Sequence, residues 1–400
     1  MEHPTLQQLF TAFAPTSLAY RSDAVTPGAV FFCIKGAKSD GHDFAPDAAA
    51  RGAIALVVEH PVPVDLPQTV VSNARTALAL ASVRFFGDPS AHLAVTAVTG
   101  TNGKTTTTYL VDWIIRHALQ AQGQPAGTTG LIGTVETRIK ASRLPSKYTT
   151  PESYDLQELL RHMADEGVTH VTMEASSHAL ALDRVAGMHV CVAAFSNLTQ
   201  DHLDFHGTME AYFEAKAKLF DSPLVAARVV NIDDAYGRTL AQRCESNGHA
   251  AYTVGFSPGA QLQATAVTYT SEGSQLTVRT EQGAFTFAYP LIGAFNAHNV
   301  LLAAGCAHLL GIDYPTITAA LAQAPQVPGR LERVKLEGQQ GGQVAQGAGA
   351  VLARLRDPKA ARTHSAQQSP LRSVQIAHPS DPSQPSRSES PATSPPPAPL

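Results

Sequence analysis

Ala94-Val95-Thr96-Ala97-Val98-Thr99-Gly100-Thr101-Asn102-Gly103-Lys104-Thr105-Thr106 runs an apolar, β-branched strand into a glycine-rich turn, a lysine and a threonine-started helix. Backbone N–H groups of such a turn point inward at a helix N-terminus, where the macrodipole also favours anions. Phosphate oxygens then meet donors with no bulky side chain in the way. Lys104 would add a point charge between the β- and γ-phosphates, and the Thr105 hydroxyl would hold magnesium. The spacing departs from the common phosphate loop, because Val98 stands five positions before Gly103 and the first glycine is Gly100. A bare G-K-T triplet is also an ordinary turn before a helix. The order strand, turn and amphipathic helix (Tyr109, Leu110, Trp113, Ile114) decides for a phosphate cradle.

Outward from this stretch the chain predicts an α/β protein. Residues 1–88 carry short strand-like runs at Val30–Ile34 and Ile54–Val58 and helical patterns near Leu6–Phe13 and Ala74–Phe86, a small N-terminal α/β domain. Gly87-Asp88-Pro89-Ser90 is a turn-rich joint. Residues 89–327 then form a second domain. Strand candidates at Val168–Met173, Val190–Phe195 and Arg228–Ile232 alternate with helical stretches, the pattern of a doubly wound, mainly parallel sheet covered on both faces. The alternation is expected to break once, at 262–290, where a period of two predicts antiparallel hairpins added to the sheet edge. Helices near 296–310 and 314–323 close the domain. Residues 328–337 read as a linker remnant. Residues 338–400 contain no Phe, Tyr, Trp, Met or Cys and end in Ser-Pro-rich sequence, which predicts a disordered tail.

Composition narrows the class further. The net charge of -4, without a dense basic block, argues against a nucleic-acid surface. Cys33, Cys191, Cys244 and Cys306 lie far apart in apolar runs and read as buried free thiols of a reducing compartment. Neither a signal segment nor a membrane-length apolar run is visible, so the cytoplasm is the default, with no membrane insertion.

Three clusters each follow or end an apolar strand: Tyr148-Thr149-Thr150-Pro151-Glu152-Ser153, Met173-Glu174-Ala175-Ser176-Ser177-His178, and Asn197 to His206. Ligands of doubly wound sheets sit beyond the carboxyl ends of strands, so Glu174 and His202 should face the phosphate loop. Glu174 is the natural magnesium ligand and His202 a less usual one. Taken alone, Asp201, His202, Asp204 and His206 fit a zinc site or a solvated loop equally.

Lys216 occupies an apolar stripe with Met209, Tyr212, Phe213, Leu219 and Phe220. Buried there, its pKa would fall, freeing a neutral amine for carbamylation; from the stripe's edge it would snorkel to solvent, and spacing alone favours the latter. Asn296 and Asn299 open a late helix, where their amides could read a base or cap the helix. Arg330 offers a planar guanidinium to a phosphate or to Glu332.

Together T-G-T-N-G-K-T-T, T-T-P-E-S, M-E-A-S-S-H-A-L, N-L-T-Q-D-H-L-D-F-H-G-T and P-G-R-L-E-R-V resemble the Mur ligases over residues of about 18–336. Most similar is the branch that extends the peptidoglycan stem peptide by its third residue. The resemblance implies an enzyme of cell-wall biogenesis, and so of cell shape and division: an ATP- and Mg2+-dependent ligase acting on UDP-MurNAc-L-Ala-D-Glu and a diamino acid through an acyl phosphate. It implies ATP binding by Gly100, Thr101, Asn102, Gly103, Lys104, Thr105, Thr106, Asn296 and Arg330. Thr105, Glu174, His202 and a carbamylated Lys216 would surround the metal, with Lys104, Glu174, His202 and Lys216 in catalysis. Ser22, Ala37, Lys38 and Ser39 would meet the uridine nucleotide, and Thr149, Thr150, Ser176 and Arg184 the muramoyl-dipeptide.

Asp23 and Leu182 depart from the family pattern. A third-domain D-Y-A-H-T-P-D motif is also not found, which predicts binding with little turnover by a chain acting as a monomer. Two alternatives stand beside this: a non-catalytic nucleotide-binding module, and a related ligase such as folylpolyglutamate synthase.

Overall fold

The computed structural model describes residues 6–330 apart from Ala37, Ala126 and Ser271. The tail expected over 338–400, and the linker residues beyond Arg330, lie outside the described residues. The first layer system is a small all-parallel sheet. After α1 (Leu6–Phe13), strands β1 (Ser17–Ala19), β2 (Ala29–Phe32), β3 (Ala55–Val58) and β4 (Gln68–Val70) pair in sequence order. α2 (Ala45–Ala50) falls between β2 and β3, and α3 (Ala74–Phe85) follows β4. Strands covered on both faces must be apolar throughout, and β2 and β3 are. Phe31, Leu56 and Val58 pack with Ala45 and Ala48 of α2, whereas Val30, Phe32 and Val57 pack with Ala74, Ala77 and Leu78 of α3.

The second system follows in chain order as β5 (Ala94–Thr99), α4 (Lys104–Ala121), β6 (Thr129–Ile132), β7 (Glu136–Ile139), β8 (Ser142–Pro145), α5 (Ser153–Asp165), β9 (His170–Glu174), α6 (Ser177–Ala181) and β10 (Val190–Phe195). It continues with α7 (Leu203–His206), α8 (Met209–Asp221), β11 (Val225–Asn231), α9 (Ala235–Ser246), β12 (Tyr252–Gly255), β13 (Leu262–Tyr269), β14 (Ser274–Thr280), β15 (Gly283–Tyr289), α10 (Ala294–Leu309) and α11 (Tyr314–Ala322). Its strands form one sheet in the order β15-β14-β13-β12-β11-β10-β5-β9-β6-β7-β8. From β13 to β6 all neighbours are parallel, with β5 central and the phosphate turn at its carboxyl end.

Period-two alternation sorts the core. Val98, Val192, Ala194 and Val229 pack with α4, α10 and α11, while Val95, Ala97, Ala193, Phe195 and Val230 pack with α5, α8 and α9. Trp113 Nε1 donates to the Ala320 carbonyl at 2.7 Å, tying α4 to α11.

The antiparallel addition predicted at 262–290 is present as β13–β15. A second addition, β6–β7–β8, stands at the opposite edge, so the alternation breaks twice rather than once. The reason it left no pattern is that β7 is buried throughout although Glu136, Thr137 and Arg138 are polar. Arg138 is paired inside the protein with Asp112 of α4 and lies 3.5 Å from Glu136.

Polar contacts stitch the small sheet's elements to the large one. Tyr20 Oη donates to Asp155 at 2.7 Å, Thr76 Oγ1 to Asp183 at 2.7 Å, and Arg75 Nη1 to Glu152 at 2.9 Å. Burial and the Asp155 carboxylate together raise the Tyr20 pKa, so the phenol remains a donor across physiological pH.

Candidate active site

The turn after β5 is shaped by close approach. Gly100 (φ 143°) would place a Cβ 1.9 Å from Ser196 Oγ, and Gly103 (φ 87°) one 2.2 Å from Asn299 Oδ1, so neither position accepts a side chain as it stands. The segment after β10 supports the turn from outside. Ser196 Oγ donates to the Asn102 carbonyl at 2.6 Å, Asn102 N–H donates to Asn197 Oδ1 at 3.0 Å, and Thr101 N–H donates to the Asn197 carbonyl at 2.9 Å.

Two lysines meet on this turn. Lys104 Nζ donates to the carbonyls of Gly100 and Thr101 at 2.9 and 2.8 Å, and Lys216 Nζ to the same Gly100 carbonyl at 2.8 Å. Lys216 is 1% exposed, which rules out the snorkelling arrangement that spacing favoured. Its stem starts inside the α8 stripe and its Nζ lies 4.4 Å from the Tyr212 ring centroid. Burial first, and the Lys104 charge second, push its pKa down to about 6, so the amine is mostly neutral at pH 7. Burial also lowers the Lys104 pKa.

Glu174, the last residue of β9, is the hub of the site. Thr105 Oγ1 donates to its Oε2 at 3.2 Å, Thr134 N–H to its Oε1 at 2.8 Å and Thr134 Oγ1 to its Oε2 at 3.1 Å. Arg330 Nη2 in turn donates to Thr105 Oγ1 at 3.3 Å. The alternative partner for Arg330, Glu332, lies outside the described residues. On the other side Thr134 Oγ1 and Thr149 Oγ1 are 3.0 Å apart. Thr150 Oγ1 donates to the Glu174 carbonyl at 2.8 Å and lies 3.3 Å from Ser176 Oγ, while Arg184 Nη1 donates to the Thr150 carbonyl at 3.0 Å. Arg184 and Arg75 share Glu152.

His202 is brought into a different set. It caps the start of α7 at φ 51°, its ring lies edge-on to His178 at 4.9 Å and to Tyr212 at 6.2 Å, and its Nε2 is 3.6 Å from Asp201. Burial holds His178 and His206 below the usual histidine pKa. Among the described residues no three His, Cys, Asp or Glu side chains could hold a metal ion, which removes the zinc alternative. A single carboxylate beside a threonine hydroxyl and a phosphate turn does fit magnesium, which takes one or two protein oxygens and completes its shell with phosphates and water.

Asn296 and Asn299 are buried and do not cap α10, whose N-cap is Gly293. Asn296 Nδ2 donates to the Ile292 carbonyl at 2.8 Å, and Asn299 Nδ2 to Asn296 Oδ1 at 3.0 Å, which aims Asn299 Oδ1 at the Gly103 turn. Thr106 is buried in the first turn of α4. Ser22 and the exposed Lys38 and Ser39 lie beyond the carboxyl ends of β1 and β2, and Ala37 is outside the described residues. Arg51, and after it Ser22, hydrogen-bond Asp47 and lower its pKa. Asp23, one of the departures, is paired with Arg21.

Sequence reasoning missed Thr134, Ser196 and Tyr212. The run Gly130-Leu131-Ile132-Gly133-Thr134, a short apolar strand closed by Gly-Thr, is the signal that could have found the first.

A model of the Mur ligase middle domain matches residues 98–307, and one of the Mur ligase family catalytic domain matches residues 16–84. The chain belongs to the Mur ligase family. It is 43% identical over 331 residues to a UDP-N-acetylmuramoyl-L-alanyl-D-glutamate--2,6-diaminopimelate ligase of Solibacter usitatus, covering 81% of this chain and 64% of that protein. A ligase of the same name from Geobacillus thermodenitrificans is 41% identical over 334 residues, 81% of this chain and 66% of its own. This Mur ligase chain therefore spans less than two thirds of the length of these relatives.

Among solved structures, a UDP-N-acetylmuramoyl-L-alanyl-D-glutamate--2,6-diaminopimelate ligase superposes with a TM-score of 0.72 at 29% identity, covering 81% of this chain and 65% of that one. MurF of Thermotoga maritima, solved in complex with ADP, shares the fold at a TM-score of 0.54 and 22% identity, over 80% of this chain and 69% of its own. Among the described residues no helix is long and apolar enough to cross a membrane.

Proposed function

We propose that the chain carries out ATP-dependent amide ligation, joining 2,6-diaminopimelate to UDP-MurNAc-L-Ala-D-Glu as the third residue of the peptidoglycan stem peptide. The amine is taken from the names of the relatives at 41–43% identity. The observation that carries the proposal is the convergence on Glu174. Thr105 reaches its carboxylate from the phosphate-turn side with Arg330 hydrogen-bonded behind it, and Thr134 reaches it from the β6–β7 turn with Thr149 of the T-T-P-E-S stretch behind it. A nucleotide on the first side and a carboxyl-bearing peptide on the second would meet at one metal-binding oxygen.

In this reaction a carboxylate oxygen of the dipeptide attacks the γ-phosphorus of ATP, the bond to the ADP oxygen breaks, and an acyl phosphate forms. The incoming amine then attacks the acyl carbon, loses a proton and expels phosphate. The protein supplies position and charge neutralisation. The glycine-rich turn, Lys104 and Arg330 would hold the triphosphate, with Asn296 and Asn299 beside it. Thr105 and Glu174 would hold magnesium, which would neutralise the phosphoryl oxygens, and His202 would have to leave its ring contacts with His178 and Tyr212 to join them. The neutral amine of Lys216 would add carbon dioxide and release a proton to water, becoming an anionic carbamate able to ligate the metal. Ser22, Lys38 and Ser39 would bind the uridine nucleotide; Thr150, Ser176 and Arg184 would orient the dipeptide. The enzyme would work in the cytoplasm as a monomer.

Calorimetric titration of MgATP and of UDP-MurNAc-L-Ala-D-Glu into the chain tests this, followed by phosphate release on adding diaminopimelate or lysine. Both ligands should bind, and any amine-dependent release should prefer diaminopimelate. Failure of either ligand to bind would contradict the proposal.

A further inference from the structure

Thr134 is not among the residues that the motifs single out, yet it makes more contacts to Glu174 than any of them. Its N–H and hydroxyl engage both carboxylate oxygens. The turn that presents it is fitted to the carboxylate, since a Cβ on Gly133 would lie 2.6 Å from Glu174 Oε1. The hairpin behind the turn is pinned to the phosphate-turn helix by the buried Asp112–Arg138 pair.

Proton counting gives the contacts a direction. A hydroxyl has one proton to donate, and a carboxylate only accepts. Thr134 spends its proton on Glu174, so Thr149 must be the donor in the 3.0 Å contact between the two hydroxyls. Arg330 donates to Thr105, whose own proton also goes to Glu174. Two donor chains therefore end on Oε2, one from the nucleotide side and one from the peptide side. With its proton engaged, Thr149 has only lone pairs left for a ligand, so it would meet a substrate N–H or O–H rather than a carboxylate.

We propose that Thr134 is a positioning residue that links Thr149 to the Glu174 carboxylate, so that the dipeptide substrate and the magnesium nucleotide each strengthen the other's binding. The proposal rests on the functional assignment above. Such coupling is reciprocal and is measured directly.

The test is calorimetric titration of UDP-MurNAc-L-Ala-D-Glu with and without saturating MgADP, in the wild type, Thr134→Val, Thr134→Ser and Thr149→Val. The wild type should gain at least about fivefold in dipeptide affinity from MgADP. Thr134→Val should bring that factor close to one, and Thr134→Ser, which keeps the hydroxyl, should preserve it. Removal of an outer-shell partner should also weaken Mg2+-dependent ADP binding about tenfold in Thr134→Val. Thr149→Val cuts the same link without touching Glu174 and decides the matter if Thr134→Val does not fold; it too should lose the coupling. Wild-type coupling that survives in the valine variants, or wild-type binding of both ligands without coupling, overturns the role of Thr134 alone. A wild type that binds neither ligand overturns the functional assignment and this role with it.

Discussion

The large sheet carries an antiparallel addition at each edge, and the two are anchored by different physics. At the β13–β15 edge, Leu276, Val278, Phe287 and Tyr289 sink into the core beside Tyr314 and Ile317 of α11. At the β6–β8 edge, Ile132 and Ile139 also join the core, but β7 adds a buried ionic anchor: Arg138 pairs with Asp112, and Arg143 reaches Glu136 at 3.2 Å. Apolar contacts stabilise in proportion to area and tolerate repacking, whereas hydrogen-bonded charges work in few geometries. The ionic edge is the one whose turn meets Glu174 at 2.8 Å. Stability and placement are thus assigned to opposite edges of one sheet.

The largest effect should come from breaking the apolar edge. Phe287→Ala should cost about 3–5 kcal/mol in urea unfolding, and the folded fraction should keep its affinity for magnesium nucleotide. At the other edge, Arg138→Met leaves the Asp112 carboxylate buried without its partner and should cost a similar 3–5 kcal/mol or so. The double variant Asp112→Leu/Arg138→Met should recover most of that stability. Amide exchange at Thr134 should nevertheless be faster in the double variant than in the wild type; unchanged exchange would show that the ion pair has no part in placing the turn.

A further effect sharpens the contrast from a third place, where a buried basic group makes no ion pair among the described residues. The Lys216 pKa of about 6 in the folded protein lies below the unfolded lysine value of roughly 10.4. Between those values the unfolded chain binds the extra proton, so this group's contribution to stability falls as pH drops from about 10 to 6. Lys216→Met should therefore gain stability relative to the wild type at pH 6 compared with pH 9. Melting curves at the two pH values check the sign, and an equal gain at both would refute it.

The same contrast explains what could be read from the sequence. β14 and β15 alternate because one of their faces is wet, and Leu276, Val278, Phe287 and Tyr289 fall on the period of two. β7 hides Glu136, Thr137 and Arg138, whose burial depends on a partner on α4 that no local pattern announces. β1 and β4, at three residues each, are too short to carry a period. The phosphate turn was legible because glycine, lysine and threonine are each needed there for a different physical reason. The burial of Lys216 was not, because a stripe shows which face a residue takes and not how far in it sits. Thr134 was invisible because its role comes from a hairpin tip meeting the end of a strand 40 positions away.

The account turns on Glu174 being the oxygen that joins metal to nucleotide, and the most direct measurement is ADP affinity as a function of Mg2+ concentration in the wild type and in Glu174→Gln. Magnesium should strengthen ADP binding about tenfold or more in the wild type and have almost no effect in the variant. An identical magnesium dependence in the two proteins would contradict the account.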